Sequence, residues 1–110
     1  MYLIHWPLNG LSSPKVPMHV LWPKMEQLKE MGLTRAIGVS NFNTQLLADM
    51  LTYCQTKPAV NQIQLHPRCA QQDLLRFLFD HEIIPIAYSP VGRPDDQNGA
   101  DDILSDLLVL

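Results

Sequence analysis

The chain has 110 residues, 46% of them hydrophobic and 17% charged, with a formal net charge of −3. That balance describes a foldable chain with one modest core rather than a disordered one. Its 8 basic residues are scattered, where a nucleic-acid partner needs a basic stripe, and no run approaches the ~20 apolar residues of a membrane span.

Tyr2-Leu3-Ile4 is a short apolar run that ends at His5-Trp6-Pro7, as a buried strand passing into a loop does. Leu8 to Pro17 carries Asn9, Gly10, two serines and Pro14, which are loop residues. A helix is expected to begin near Trp22-Pro23, because proline suits a first turn whose N–H has no partner. Leu21, Met25 and Leu28 share one face of it, and Gly32 is the expected stop. Arg35 to Val39 reads as the second strand.

Asn43 is placed to cap the next helix, in which Leu46, Leu47, Met50, Leu51 and Cys54 recur at helical spacing. Ala59 to Leu65 reads as the third strand, with Pro58 at its entrance, where no ladder donor is needed. Gln71 to His81 predicts a third helix through Leu74, Leu75, Leu78 and Phe79, and Ile83 to Tyr88 a fourth strand. Asp95 to Gly99 reads as a polar loop, and Ile103 to Leu110 as the start of a further helix.

The sum is a single domain over residues 1–110 with β-α-β-α-β-α-β-α order, which argues for parallel strands joined by helical crossovers. A doubly wound sheet has the same alternation. Polar, chemistry-bearing residues after every strand, instead of at one switch point, favour an α/β barrel of the (β/α)8 TIM type. About four β/α units make a half barrel. The chain is therefore expected to be a fragment whose exposed apolar edges invite self-association.

Each strand end offers chemistry beside an ordinary structural role. His5 can donate from its ring to a carbonyl oxygen, although a lone strand-end histidine is more often satisfied by backbone. Ser40 and Asn41 set a hydroxyl beside an amide, a pair able to hold a carboxamide or to open a helix. Tyr88 offers an aromatic face, which in most proteins is simply buried. Backbone near Gly92 can approach phosphate oxygens closely.

Other chemistries fit less well. No Gly-x-Ser-x-Gly elbow accompanies Ser40 or Ser89. His5, His19, His66 and His81 lack the spacing of a zinc helix, so no metal site is expected. Asp95-Asp96 and Asp101-Asp102 read as solvated loop charges, not as a glycosidase pair. Cys54 and Cys69 have neither metal-ligand spacing nor scaffold density, and are expected to be reduced thiols in a cytoplasmic protein. No secretory leader pattern opens the sequence.

The strings Ile4-His5-Trp6-Pro7, Gly38-Val39-Ser40-Asn41-Phe42, Asn61-Gln62-Ile63-Gln64-Leu65-His66-Pro67 and Ala87-Tyr88-Ser89-Pro90-Val91-Gly92 resemble, in order and wording, the aldo-keto reductases. The likeness runs over nearly all of the chain, from the family's fourth barrel strand through its seventh. It implies an NADP-dependent oxidoreductase, with NAD as the other candidate, that reduces an aldehyde or ketone by hydride transfer. It implies that His5 stands beside the reacting carbonyl of a small-molecule substrate and that Trp6 lines the substrate pocket. It further implies that Ser40, Asn41 and Gln62 fix the nicotinamide carboxamide, that Tyr88 stacks on the ring, and that Ser89, Val91, Gly92 and Asp95 follow the pyrophosphate and ribose. Arg93, Gln64 and Arg68 depart from the family's usual Ser, Glu and aromatic residue. The family's proton-donating tyrosine lies in an earlier motif that neither Tyr2 nor Tyr53 matches. The alternative is a non-catalytic half-barrel that self-associates or binds a partner.

Overall fold

The computed structural model describes residues 1–7 and 16–92. They form β1 (Tyr2–Ile4), α1 (Met18–Glu30), β2 (Ile37–Ser40), α2 (Thr44–Tyr53), β3 (Val60–Gln64), α3 (Gln72–Asp80) and β4 (Ile84–Tyr88). The strands lie in one parallel sheet in the order β1-β2-β3-β4, and each neighbouring pair is joined by a crossover that contains one helix. The polar loop from Asp95 and the helix expected from Ile103 lie outside the described residues.

Register and the two-residue pleat assign the faces. Leu3 pairs with Gly38, and Val60 with Ile84. Ser40 pairs with Gln62, and Gln64 with Tyr88. These residues alternate along their strands onto one face, the face turned away from the helices. Ile4, Ile37, Val39 and Ile63 take the other face and join Trp22, Met25, Leu47, Met50, Leu74 and Leu78 in the core. The sheet therefore has a helix-covered side built by aliphatic packing, and a second side whose upper layer is polar.

Gly38 is where the second side is tightest. A Cβ there would lie 2.7 Å from Leu3 Cδ2, 2.7 Å from Val60 Cγ2 and 2.9 Å from the Val60 carbonyl oxygen. The missing side chain lets Leu3 and Val60 close over β2, forming an apolar floor one layer below Ser40 and Gln62.

The helix ends follow local chemistry. Asn43 caps α2 by accepting from Leu46 N–H at 2.9 Å. Gly32, at φ +73°, closes α1 in a left-handed turn, and Leu33 N–H returns to the Leu28 carbonyl at 3.0 Å. The start of α1 is earlier than the sequence predicts. It begins at Met18 after Pro17, with Pro23 inside the helix. In the extra turn the Val20 and Leu21 N–H groups donate to the Pro17 carbonyl at 3.0 Å, and Met18 and Leu21 pack against the core. Trp22 is buried next to it, its Nε1 donating to the Thr56 carbonyl at 2.9 Å. Phe79, expected inward, is 64% exposed; Leu74 and Leu78 fill the core-facing row, and Phe77 stacks on His81 with centroids 4.1 Å apart.

Candidate active site

Parallel strands place all their carboxyl ends on one rim, and the four sequence strings meet there. His5, Trp6, Ser40, Asn41, Gln62, Tyr88 and Ser89 line a common cleft of about 260 Å³. The structure thus brings together seven of the ten residues singled out in the sequence. Val91 and Gly92 follow on the turn after β4, where Gly92 N–H donates to the Ser89 carbonyl at 2.9 Å. Ser89 (φ +49°) and Gly92 (φ +78°) are both left-handed in that turn, which folds the backbone back at the edge of the cleft. Asp95 lies outside the described residues.

Asn41 stands at the centre of the cleft's hydrogen bonding. Its backbone is left-handed, φ +63°, a conformation that asparagine tolerates better than most side chains. Its Nδ2 donates to the His5 carbonyl at 2.9 Å and to Ser40 Oγ at 3.2 Å. Its Oδ1 accepts the Tyr88 hydroxyl at 2.8 Å. Ser40 is buried, and its hydroxyl donates to the Gln62 carbonyl at 2.8 Å. The Gln62 side-chain amide makes no hydrogen bond among the described residues and borders the cleft. His5 is exposed, its ring 5.9 Å from that of Trp6 at 32°.

A second cavity of about 410 Å³ adjoins the first and shares Trp6, Asn41 and Tyr88 with it; Phe42, Asn43, Gln64, Cys69 and Gln71 complete its polar and aromatic wall. No group of His, Cys, Asp and Glu among the described residues is placed to hold a metal ion.

Asn61 is a structural partner that motif reading passes over. It is fully buried, donating from Nδ2 to the Phe42 carbonyl at 2.8 Å and accepting from Phe42 N–H at 3.4 Å. It ties the loop after β2 to β3 and so holds Asn41 in place. The signal was an amide at a position that alternates onto the same side as Ile63, the helix-covered face of the strand.

The donor set suits a nicotinamide group. A primary carboxamide needs both donors and acceptors, and Gln62 offers an amide with both, while Asn41 Oδ1 and Ser40 Oγ each keep a lone pair. The Tyr88 ring supplies an aromatic wall beside them.

A parallel α/β sheet with its polar side chains gathered on the carboxyl rim is the layout of a barrel enzyme's active face. A model of the aldo/keto reductase family matches residues 1–95, and the chain belongs to that family. Aldose reductase C of Dictyostelium discoideum is 40% identical over 113 residues, covering 84% of this chain and 35% of that protein. The solved aldose reductase of Giardia lamblia matches with a TM-score of 0.76 and 41% identity over 83% of this chain and 35% of that one. A Bombyx mori aldo-keto reductase in complex with NADP matches with a TM-score of 0.81 and 33% identity over 89% of this chain and 34% of that one. The chain spans about a third of the length of the curated relatives it matches. Its fold is a partial (β/α)8 barrel. No helix among the described residues is long and apolar enough to cross a membrane.

Proposed function

We propose that the cleft is the nicotinamide end of an NADP(H) site in an enzyme that reduces an aldehyde or ketone to an alcohol. The observation that carries this is the convergence of His5, Trp6, Ser40, Asn41, Gln62 and Tyr88 on one cleft from four separate strand ends. Gln62, Asn41 and Ser40 hold the carboxamide, and the Tyr88 ring supports one face of the nicotinamide. The turn from Ser89 through Val91 to Gly92 lies along the pyrophosphate, with Asp95 assigned to the ribose. Bound in this way, the reduced cofactor supplies the hydride.

The chain's own part in the chemistry is orientation and polarisation. His5, exposed on the rim, donates from its ring to the carbonyl oxygen, drawing charge away from the carbon and favouring attack there. Trp6 packs against the apolar part of the substrate. A proton must also reach the oxygen, and none of this chain's tyrosines is placed to give it. Tyr2 opens β1, at the opposite end from the rim. Tyr53 closes α2 against His19, and the Tyr88 hydroxyl is already donated to Asn41. The proton donor is therefore assigned to barrel segments beyond those in this chain, and without it the rate falls by about 10² to 10⁴.

The described residues address the nicotinamide half common to NADP and NAD, and we take NADP as the cofactor from the relative solved with it. A cytoplasmic setting suits the two free thiols, Cys54 and Cys69.

The test is NADPH oxidation with a reactive aromatic aldehyde, using residues 1–92 grafted in place of the matching third of Dictyostelium aldose reductase C. Turnover that His5→Ala reduces by at least about 10²-fold is the expected result. Undiminished turnover in that variant removes the role given to His5.

A further inference from the structure

Asn41 makes more contacts than holding a carboxamide requires. Directly after β2 it touches each of the other three strands or the turn that follows: the His5 carbonyl after β1, the Gln62 carbonyl in the middle of β3 through its own N–H at 2.9 Å, and the Tyr88 hydroxyl at the end of β4. Its amide is a rigid plane with one acceptor end and one donor end. Rotating it by half a turn would set Oδ1 against the His5 carbonyl and Ser40 Oγ, and Nδ2 against the Tyr88 hydroxyl. Two oxygens would then face each other without a hydrogen at the His5 carbonyl, so the network selects one orientation. The left-handed backbone adds to the restriction. Glycine would keep the φ of +63° but lose the amide, and most other side chains would be strained there.

We propose that Asn41 is a positioning residue that couples the pose of the Tyr88 ring to the turn carrying His5 and Trp6. The wall against which the nicotinamide would lie and the turn that would meet the substrate carbonyl are then set by one amide. The functional consequence rests on the nicotinamide assignment above; the coupling itself is a property of the ligand-free chain. Tyr88 ends β4 and His5 directly follows β1, the two edge strands of the sheet, which make no ladder with each other. Asn41 is their hydrogen-bonded connection across the cleft.

The experiment is solution NMR of the ligand-free 110-residue chain and two variants. The indole N–H of Trp22, bonded to Thr56 on the helix-covered side, reports that the fold is intact. Tyr88→Phe keeps the ring and removes only the hydroxyl. The Asn41 side-chain amide protons are expected to exchange about 2- to 12-fold faster, as the loss of one neutral hydrogen bond implies. The His5 carbonyl and Trp6 indole resonances should shift while that of Trp22 stays. Asn41→Asp keeps the acceptor for Tyr88 and removes both donors, so His5 and Trp6 should shift with the Tyr88 ring signals retained. Unchanged Asn41 exchange and unchanged His5 and Trp6 signals in Tyr88→Phe, with Trp22 in place, overturn the coupling. If Asn41→Asp loses the Trp22 signal, Tyr88→Phe alone decides. A parallel NADPH titration of the unmodified chain separates the two ideas. No response there removes the nicotinamide assignment, and the ligand-free comparison still decides the coupling.

Discussion

One carboxylate oxygen of Glu26 accepts the backbone N–H of Thr56 at 2.7 Å, and that of Gln55 at 2.8 Å. One turn earlier on α1, Trp22 Nε1 donates to the Thr56 carbonyl. The helix thus grips the α2–β3 connection by its N–H and C=O groups together, which accounts for a buried carboxylate in an otherwise apolar interface. Glu26→Ala leaves two amides without acceptors and should destabilise the chain by about 2–4 kcal/mol. Glu26→Gln keeps an acceptor and should cost about 1 kcal/mol. Urea midpoints for the two variants check the order.

Gly38→Ala should destabilise by about 1–3 kcal/mol through overpacking. The new methyl meets the Val60 carbonyl oxygen at 2.9 Å as well as the Leu3 and Val60 side chains. A side chain can turn away, but the backbone of a paired strand cannot. Urea unfolding at unchanged m-value is the measurement. The same variant should disturb the resonances of Ser40 and Gln62, which stand one layer above.

How much of this was legible in advance follows from which forces were local. The strand ends were readable because each apolar run stops at residues that cannot continue a buried ladder, as at Ile4-His5 and Tyr88-Ser89. The start of α1 was not, because Pro23 imitates a first-turn proline while Trp22 is buried in the tertiary core and bonded to Thr56, 34 positions away. Phe79 lies about 100° around α3 from Leu78 and off the buried row, a placement that depends on where β4 packs. The candidate residues could be named from their strings. The tie between Asn41 and Tyr88, 47 positions apart, and the left-handed backbone that aims it are tertiary facts that no local pattern carries.

Burial, and then the charge of Glu26, push the Cys54 thiol above its ordinary value. The folded chain therefore keeps this proton at pH values where the unfolded chain releases it. Its contribution to stability declines as pH rises from about 8.5, the unfolded thiol value. Alkylation by iodoacetamide at pH 8 should be slower at Cys54 in the folded chain than in urea, and Glu26→Gln should speed the folded reaction. Equal folded rates in the two proteins would contradict the influence assigned to Glu26.

A hydrogen bond from Lys57, and then its charge, hold the Glu82 carboxyl below the usual carboxylate range. Lys57 also donates to the His81 carbonyl at 2.9 Å, joining the β3 entrance to the end of α3. The stabilisation is present above the unfolded carboxylate value of about 4.3 and is lost as pH falls through the lower folded value. The pair is exposed, so the effect is small and weakened by salt. Unfolding midpoints of the unmodified chain and Glu82→Gln should differ at about pH 6 and draw together as the pH is lowered through the folded carboxyl's titration.

The most direct test of the cofactor assignment is an NMR titration of the 110-residue chain with NADPH, in which even weak binding can be located residue by residue. The shifts should saturate and fall on His5, Trp6, Ser40, Asn41, Gln62, Tyr88 and the turn to Gly92, and Gln62→Ala should weaken them. Shifts centred instead on the cavity at the opposite end of the sheet, around Tyr2, Leu33 and Arg35, or no saturable response at all, would contradict the assignment of this rim to a nicotinamide cofactor.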